Sequence, residues 1–465
     1  MKHALIISTI SLFAAAQSQA EITLLAIGTM DQSRAGSFAD LSGLKYTLEN
    51  GAAANLLGGL GSALAYANGN TFLALPDRGP NAVPFDPAID NTASYINRFH
   101  TVTMDLEPNT SGTGLPYTLT PTLRATTLLW SLTPLVYGTG AGLGVGSGVP
   151  PVNNFLQHFF TGRSDNFDPN QNSGDPKDAR FDTEGMRVSN DGLTVFISDE
   201  YGPYVYQFDR LSGVRLRTFQ LPSSFYVKNL SPIGANEISG NTSGRTANKG
   251  MEGLAITPDG RTLVGIIQDP LIQDANEGAT SLLRIVTIDI FSGNVTHQYA
   301  YGLTAGSGVS EICALNSHEF LVDERDGKGR EGGNNSTSNN AVVKQLFKID
   351  LTGATDVGAM DGLTAAMHTV PKTLFLDVVD ALHNQGGIAL NNIPSKIEGV
   401  AFGPDIKHGG QTMHTLWLAN DNDFLDFTGD TPPVLNPNQF FVFGVTDADL
   451  GGSVFVPQQF HGFFF

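Results

Sequence analysis

The 465-residue sequence has one cysteine, Cys313, and only 26 Lys and Arg against 45 Asp and Glu. A single thiol excludes an intramolecular disulfide. In the apolar run Glu311-Ile312-Cys313-Ala314-Leu315 it reads as a small buried hydrophobe, since a nucleophile would need a base nearby. The shortage of cations, with a formal charge of −19, argues against a nucleic-acid binder, which depends on clustered Lys and Arg. It fits a cation binder or an exported protein. Beyond the first 20 residues no apolar run is long enough to span a bilayer.

Several chemistries are missing as well. There is no Gly-x-Ser-x-Gly elbow, no paired-cysteine metal site and no dinucleotide fingerprint. After His318-Glu319, Val322 stands where a zinc helix would carry its second His. The Gly run at 138–148 lacks the Gly-Lys-Ser/Thr ending of a phosphate loop.

What is present begins with a leader. Lys2, the apolar stretch 4–16 and Ser18-Gln19-Ala20 have the order of a secretory signal peptide with its cleavage site. Residues 1–20 are therefore set aside, 21–465 are read as one domain, and the product is expected to be secreted or periplasmic. With 41% hydrophobic residues the chain is too apolar for disorder, so its 53 Gly and 24 Pro punctuate a fold.

That punctuation is periodic. A Glu-Gly step, a short apolar strand, a turn, a strand ending in acids and a third strand recur. The copies start at Glu184-Gly185, Glu252-Gly253, Ser310-Glu311 and Glu398-Gly399, with a degenerate one at Gly61-Ser62. The four glutamates are 68, 59 and 87 residues apart. Units of this size and strand count predict an all-β fold, a single β-propeller. A pair of sandwiches would explain the strands but not the recurring acids. Five copies are visible. A sixth blade, built from the N-terminal segment EITLLAIG and the C-terminal tail, is the favoured reading. Residues 138–180 and 324–340 interrupt the period and read as long mobile loops.

Topology turns the repeat into chemistry. The residue before a blade's first strand and the residue after its second lie on one face. Glu184, Glu252, Glu311 and Glu398 should thus share a face with Asp77, Asp199, Glu200, Asp269, Asp323, Glu324 and Asp421, whereas Asp191 and Asp259 fall in turns on the opposite face. Converging carboxylates repel, and protonation or a hard cation such as Ca²⁺ relieves them. Structural hydrogen bonds between blades are the alternative for any single acid. The expected metal ligands are Glu184, Glu200, Glu252, Asp269, Glu311, Glu324, Glu398 and Asp421, and the expected catalytic groups are Glu184, Glu252 and Asp77. Arg78, Lys249, Arg325 and Lys396 stand beside these acids as candidate grips for an anionic substrate, or as their salt-bridge partners; Arg180 is similarly placed. Asp421, Asp423, Asp426 and Asp430 make an acidic loop, either a solvated loop or an ion site.

The chain resembles the phytase-like family, esterase-like activity of phytase. The likeness rests on Pro76-Asp77-Arg78-Gly79, Phe181-Asp182-Thr183-Glu184-Gly185 with Ser198-Asp199-Glu200-Tyr201-Gly202-Pro203, Lys249-Gly250-Met251-Glu252-Gly253, Asp323-Glu324-Arg325-Asp326 and Lys396-Ile397-Glu398-Gly399. It spans roughly residues 59–425. The resemblance implies an exported propeller and, by kinship with alkaline phytases, a Ca²⁺-dependent hydrolase of phosphate esters. The partner expected is a small anionic ester, acted on by a monomer, with no nucleic acid and no membrane span. A gluconolactonase-type lactonase or carboxyl esterase, and a non-catalytic Ca²⁺-stabilised binding propeller, are the alternatives.

Overall fold

The computed structural model describes residues 22–30, 38–82, 92–141, 143–330, 339–428 and 432–461. The leader at 1–20, Asp430 and much of the polar stretch 324–340 lie outside them. The chain forms a five-bladed propeller of four-stranded antiparallel sheets. From the axis outward, blade 1 holds Ala63–Asn68, Thr71–Leu75, Arg98–Pro108 and Tyr117–Leu128. Blade 2 holds Thr183–Val188, Thr194–Asp199, Tyr204–Asp209 and Arg215–Gln220. Blade 3 holds Met251–Ile256, Thr262–Ile267, Leu282–Asp289 and Val295–Gly302, and blade 4 Gly308–Ala314, Glu319–Arg325, Lys344–Asp350 and Lys372–Asp377. Blade 5 takes Lys396–Phe402, Gln411–Asp421 and Gln439–Val445 from the end of the chain and Thr23–Thr29 from its start.

The five copies seen in the sequence are the five blades, and the expected sixth does not form. Thr23–Thr29 pairs instead with Gln439–Val445, from Thr23 opposite Gly444 to Thr29 opposite Gln439. It gives the fourth strand to a blade that has three from the end of the chain, so the two ends of the chain close the ring in one sheet.

Apolar side chains fill the spaces between blades. Leu64 and Phe72 of blade 1 meet Trp417 and Phe440 of blade 5, and Phe196 and Val205 of blade 2 meet Leu254 and Leu263 of blade 3. Each such buried side chain contributes about 1.5–3 kcal/mol. The inner strands approach closely. A Cβ on Gly253 would come within 2.6 Å of the Ile312 nitrogen in blade 4, which accounts for glycine after the blade-3 glutamate.

The central channel is blocked midway. Arg187 donates to the carbonyls of Leu64, Met186, Ile312 and Val400, and lies 3.1 Å from Glu311. Glu311 in turn accepts from the amides of Leu254 and Ile312, each at 2.9 Å. This one ion pair ties together the inner strands of all five blades. Below it lies a cavity of about 70 Å³, lined by Cys313, Tyr66 and Phe402 and covered by residues 455–458. Those residues belong to a tail that crosses the whole face. Phe455 packs on Phe402, Val456 donates to Leu315, Gln459 to Pro258 and His461 to Asn190, and Phe460 meets Tyr66. Asp191 and Asp259 lie in turns on this side, as expected.

Within 143–180, part of the stretch expected to be a mobile loop, residues 159–167 are packed around Arg163, while most of 149–158 is exposed. The buried Arg163 guanidinium binds Glu49, Asp165 and the Gly146 carbonyl. Among the described residues no helix is long and apolar enough to cross a membrane.

Candidate active site

The acids gather at the other mouth of the channel, above the Arg187–Glu311 pair. Asp182, Glu184 and Glu200 bring one carboxylate oxygen each within 4.8 Å of the others, and all three are buried. Glu184 opens the inner strand of blade 2. Glu200 follows that blade's second strand, held there by its amide, which donates to Asp182 at 2.9 Å. Glu252 borders the group and accepts from Gln268 at 2.6 Å. Burial, and then Glu252 beside it, pushes Glu184 and Glu200 well above the usual carboxylate range. Burial and Glu398 lift Glu252 to about 7, against the pull of Arg325 and Lys249.

A second trio, Asp77, Asp421 and Asp423, lies within the same 4.8 Å spread. Asp421 ends the second strand of blade 5, and Asp77 follows that of blade 1. Burial and Asp421 drive Asp77 well above its ordinary value. Burial lifts Asp421 to about 7 even with Lys396 beside it. Asp423 and Phe424 have φ of 52° and 57°, and Asn248, which contacts Arg78, has 55°. These are the positive-φ non-glycine residues of the described chain, and all three are at this mouth. Backbone strain of this kind is kept where a site needs its side chains aimed.

The four predicted cations divide. Arg78 binds Asp182 at 2.8 Å through its guanidinium and at 3.1 Å through its amide. Arg325 pairs with Glu398 and lies 3.8 Å from Glu252, while its Nε donates to Ser310. Lys396 lies 3.1 Å from Asp421 and pairs with Asp423. Lys249 makes no ion pair among the described residues, although its charge is felt by Glu200, Glu252 and Asp269. Gly250 allows this placement, because a Cβ there would come within 2.3 Å of the Glu200 carbonyl oxygen.

Five expected ligands lie outside the two trios: Glu252 borders the first, Glu398 is paired with Arg325, and three others stand apart. Glu311 is held in the blocked channel by Arg187 and two amides. Glu324 points to the opposite side of its strand from Asp323 and Arg325, because Glu319–Arg325 keeps its two-residue alternation to the end. There it accepts from Tyr301 at 2.6 Å and from the amide of Ala305 at 2.8 Å, and it pairs with Lys372. Asp269 is half-buried on the Lys249 side, outside both trios. Arg180 likewise turns away, toward Glu237 and the rings of Phe167 and Tyr201.

Residues the sequence reasoning left out of the site are Asp182, Asn248 and Gln268, while Asp423 belongs to the acidic loop that reads as either solvated or an ion site. Asp182 had a readable signal. Two places before Glu184 in an extended segment, it falls on the same side.

The donors present fit a hard cation. Oε1 of Glu200 and Oε2 of Glu252 are buried and accept no hydrogen bond, in side chains 2% and 4% exposed. Buried carboxylate oxygens without donors are costly unless a cation meets them, and oxygen-only ligands suit Ca²⁺.

Residues 55–424 match the family model for phytase-like proteins, esterase-like activity of phytase. A protein of Arthroderma benhamiae named "Uncharacterized secreted protein" is 26% identical over 313 residues, 55% of this chain and 60% of that protein. The chain thus spans about three-fifths of that relative's length. Among solved structures, Kuenenia stuttgartiensis hydrazine synthase superposes with a TM-score of 0.30 at 12% identity, covering 78% of this chain and 77% of that one. A luciferin-regenerating enzyme does so with a TM-score of 0.32 at 10% identity, covering 87% and 96%. Nothing about activity passes from either structure to this chain.

Proposed function

This chain belongs to the phytase-like family, esterase-like activity of phytase, and from that premise we propose that it is an exported, Ca²⁺-dependent hydrolase of phosphate esters. Export is supported by the leader pattern in residues 1–20 and by the name of the secreted relative. The observation that carries the reading is the pair of buried, donor-less oxygens on Glu200 and Glu252 beside the Asp182–Glu184–Glu200 trio.

In this reading Asp182, Glu184 and Glu200 hold the ion. When bound, it polarises the ester's phosphoryl oxygen and makes a water more acidic. Glu252, poised at about 7, takes the proton of the attacking water. Asp77, whose burial beside Asp421 favours the protonated carboxyl, gives a proton to the departing ester oxygen. Lys249, which makes no ion pair among the described residues, binds a non-bridging oxygen. Arg78 and Arg325 hold site carboxylates in position.

The test is phosphate release from phytate and from an aryl phosphate, before and after chelation and after Ca²⁺ is restored. Loss on chelation and return with Ca²⁺ is expected; turnover that survives complete removal of divalent ions overturns the metal's role. A second reading, a lactone or carboxylic-ester hydrolase, is favoured by one fact. Arg78, Arg325 and Lys396 are already paired with carboxylates, which leaves little positive charge for an anion. Hydrolysis of lactones or aryl acetates with none of phosphate esters would select it.

A further inference from the structure

The two acidic trios are equally tight but differ in what answers their charge. Resting on the cation dependence above, we propose that the chain takes one divalent ion, at Asp182–Glu184–Glu200, and that Lys396 is the built-in cation of Asp77–Asp421–Asp423.

In the second trio the Lys396 ammonium already lies on Asp421 and Asp423. An ammonium brings three donors and one charge to the place a metal would occupy. The remaining demand is met by the backbone: the amide of Asp423 donates to Asp421 at 2.7 Å and that of Gly79 to Asp77 at 2.8 Å. No oxygen of this trio is buried without a partner. The loop is fixed in this arrangement. Phe424 packs on Tyr95, with ring centres 4.9 Å apart, and against Gly58 and Gly59, which holds the left-handed Asp423 over Lys396.

The first trio has no such occupant. Of its three members Arg78 pairs with Asp182, and Oε1 of Glu200, like Oε2 of the neighbouring Glu252, is buried without a hydrogen bond. A divalent ion entering the second trio would have to sit against an ammonium or expel it, while in the first the one paired cation, Arg78, is held on Asp182 and leaves Glu184 and Glu200 without an ion pair among the described residues. One cation of the mouth is therefore exchangeable and the other permanent.

The experiment counts ions rather than turnover. Full-length protein is stripped with chelator, titrated with Ca²⁺ by calorimetry, and checked by elemental analysis. Wild type should bind one Ca²⁺ per chain. Glu200→Gln should lose it, Asp421→Asn should keep it, and Lys396→Met should gain a second, weaker ion. Two ions in wild type, or loss of the ion in Asp421→Asn with retention in Glu200→Gln, overturns the assignment but leaves cation dependence standing. No ion in wild type removes both. If Lys396→Met does not fold, the opposite responses of Glu200→Gln and Asp421→Asn still decide.

Discussion

Glu252 and Glu311 stand one position apart at the starts of neighbouring inner strands, Glu252 matching Ser310 and Glu311 matching Gly253, and they are put to opposite uses. Burial raises both carboxyls to about 7. Glu311 is answered from within the protein, by Arg187 and two amides. Each has one oxygen that accepts no hydrogen bond, but that of Glu311 lies 3.1 Å from the Arg187 guanidinium, whereas Glu252 has one neutral donor, a distant Arg325 and the Glu200 carboxyl beside it. The repeat supplies a carboxylate at the strand starts of blades 2, 3 and 5, and blade 4 carries one a residue later. Whether it becomes structure or chemistry depends on the donors that the next blade presents. Stability is invested in the channel's middle and withheld at its mouth.

The sharpest way to break this contrast is Arg187→Met. It strands Glu311 as a buried, uncompensated charge and removes donors to four inner-strand carbonyls. We expect a loss of about 3–5 kcal/mol in denaturant unfolding; a loss below ~1 kcal/mol would show that the ion pair is not what holds the ring.

The two glutamates come next. Glu311→Gln should cost about 1–3 kcal/mol while leaving turnover per folded molecule intact. Glu252→Gln should do the reverse, raising metal-free stability by about 0.5–2 kcal/mol and lowering turnover by about 10²–10⁴-fold. Equal effects from the two variants would erase the distinction.

A pH series sharpens it further. A carboxyl raised to about 7 keeps, in the folded protein, a proton that the unfolded chain has already released above its ordinary pKa. That stabilisation is complete below the ordinary value and disappears as pH rises through 7. The Tm of the metal-free protein should therefore fall between pH 5 and pH 8, less steeply in Glu252→Gln. Added Ca²⁺ should raise Tm more at pH 8, where it does not have to displace protons. A flat Tm across this range would contradict the picture. The smallest effect is expected from Lys249→Met: stability within about 0.5 kcal/mol of wild type, with a higher KM for anionic substrates and an unchanged one for neutral esters.

Much of this was legible in the sequence because blades are local. Their turns, strand alternation and Glu-Gly steps lie within short windows, and so does the rule that puts acids on one face. What could not be read depends on partners far along the chain. The hydrogen bonds of Thr23–Thr29 to Gln439–Val445 have no local signature, which is why a sixth blade looked plausible. Glu324 was assigned to the mouth on the assumption that its strand had ended, and one more residue pair of alternation turned it away. Arg187 carries no motif at all. It is an arginine inside a short apolar strand, and its role exists only once five strands surround it.

The ring also sets an order of assembly. Its first strand has no partner until Gln439–Val445 has been made, and residues 453–461 then lie across all five blades. Contacts this distant in sequence form slowly. A chain shortened by a few tens of residues would hold four finished blades and an open seam, with bare strand edges that invite pairing with other chains. The closure therefore acts as a check on synthesis, since the ring reaches its protected form only once Gln439–Val445 has been made.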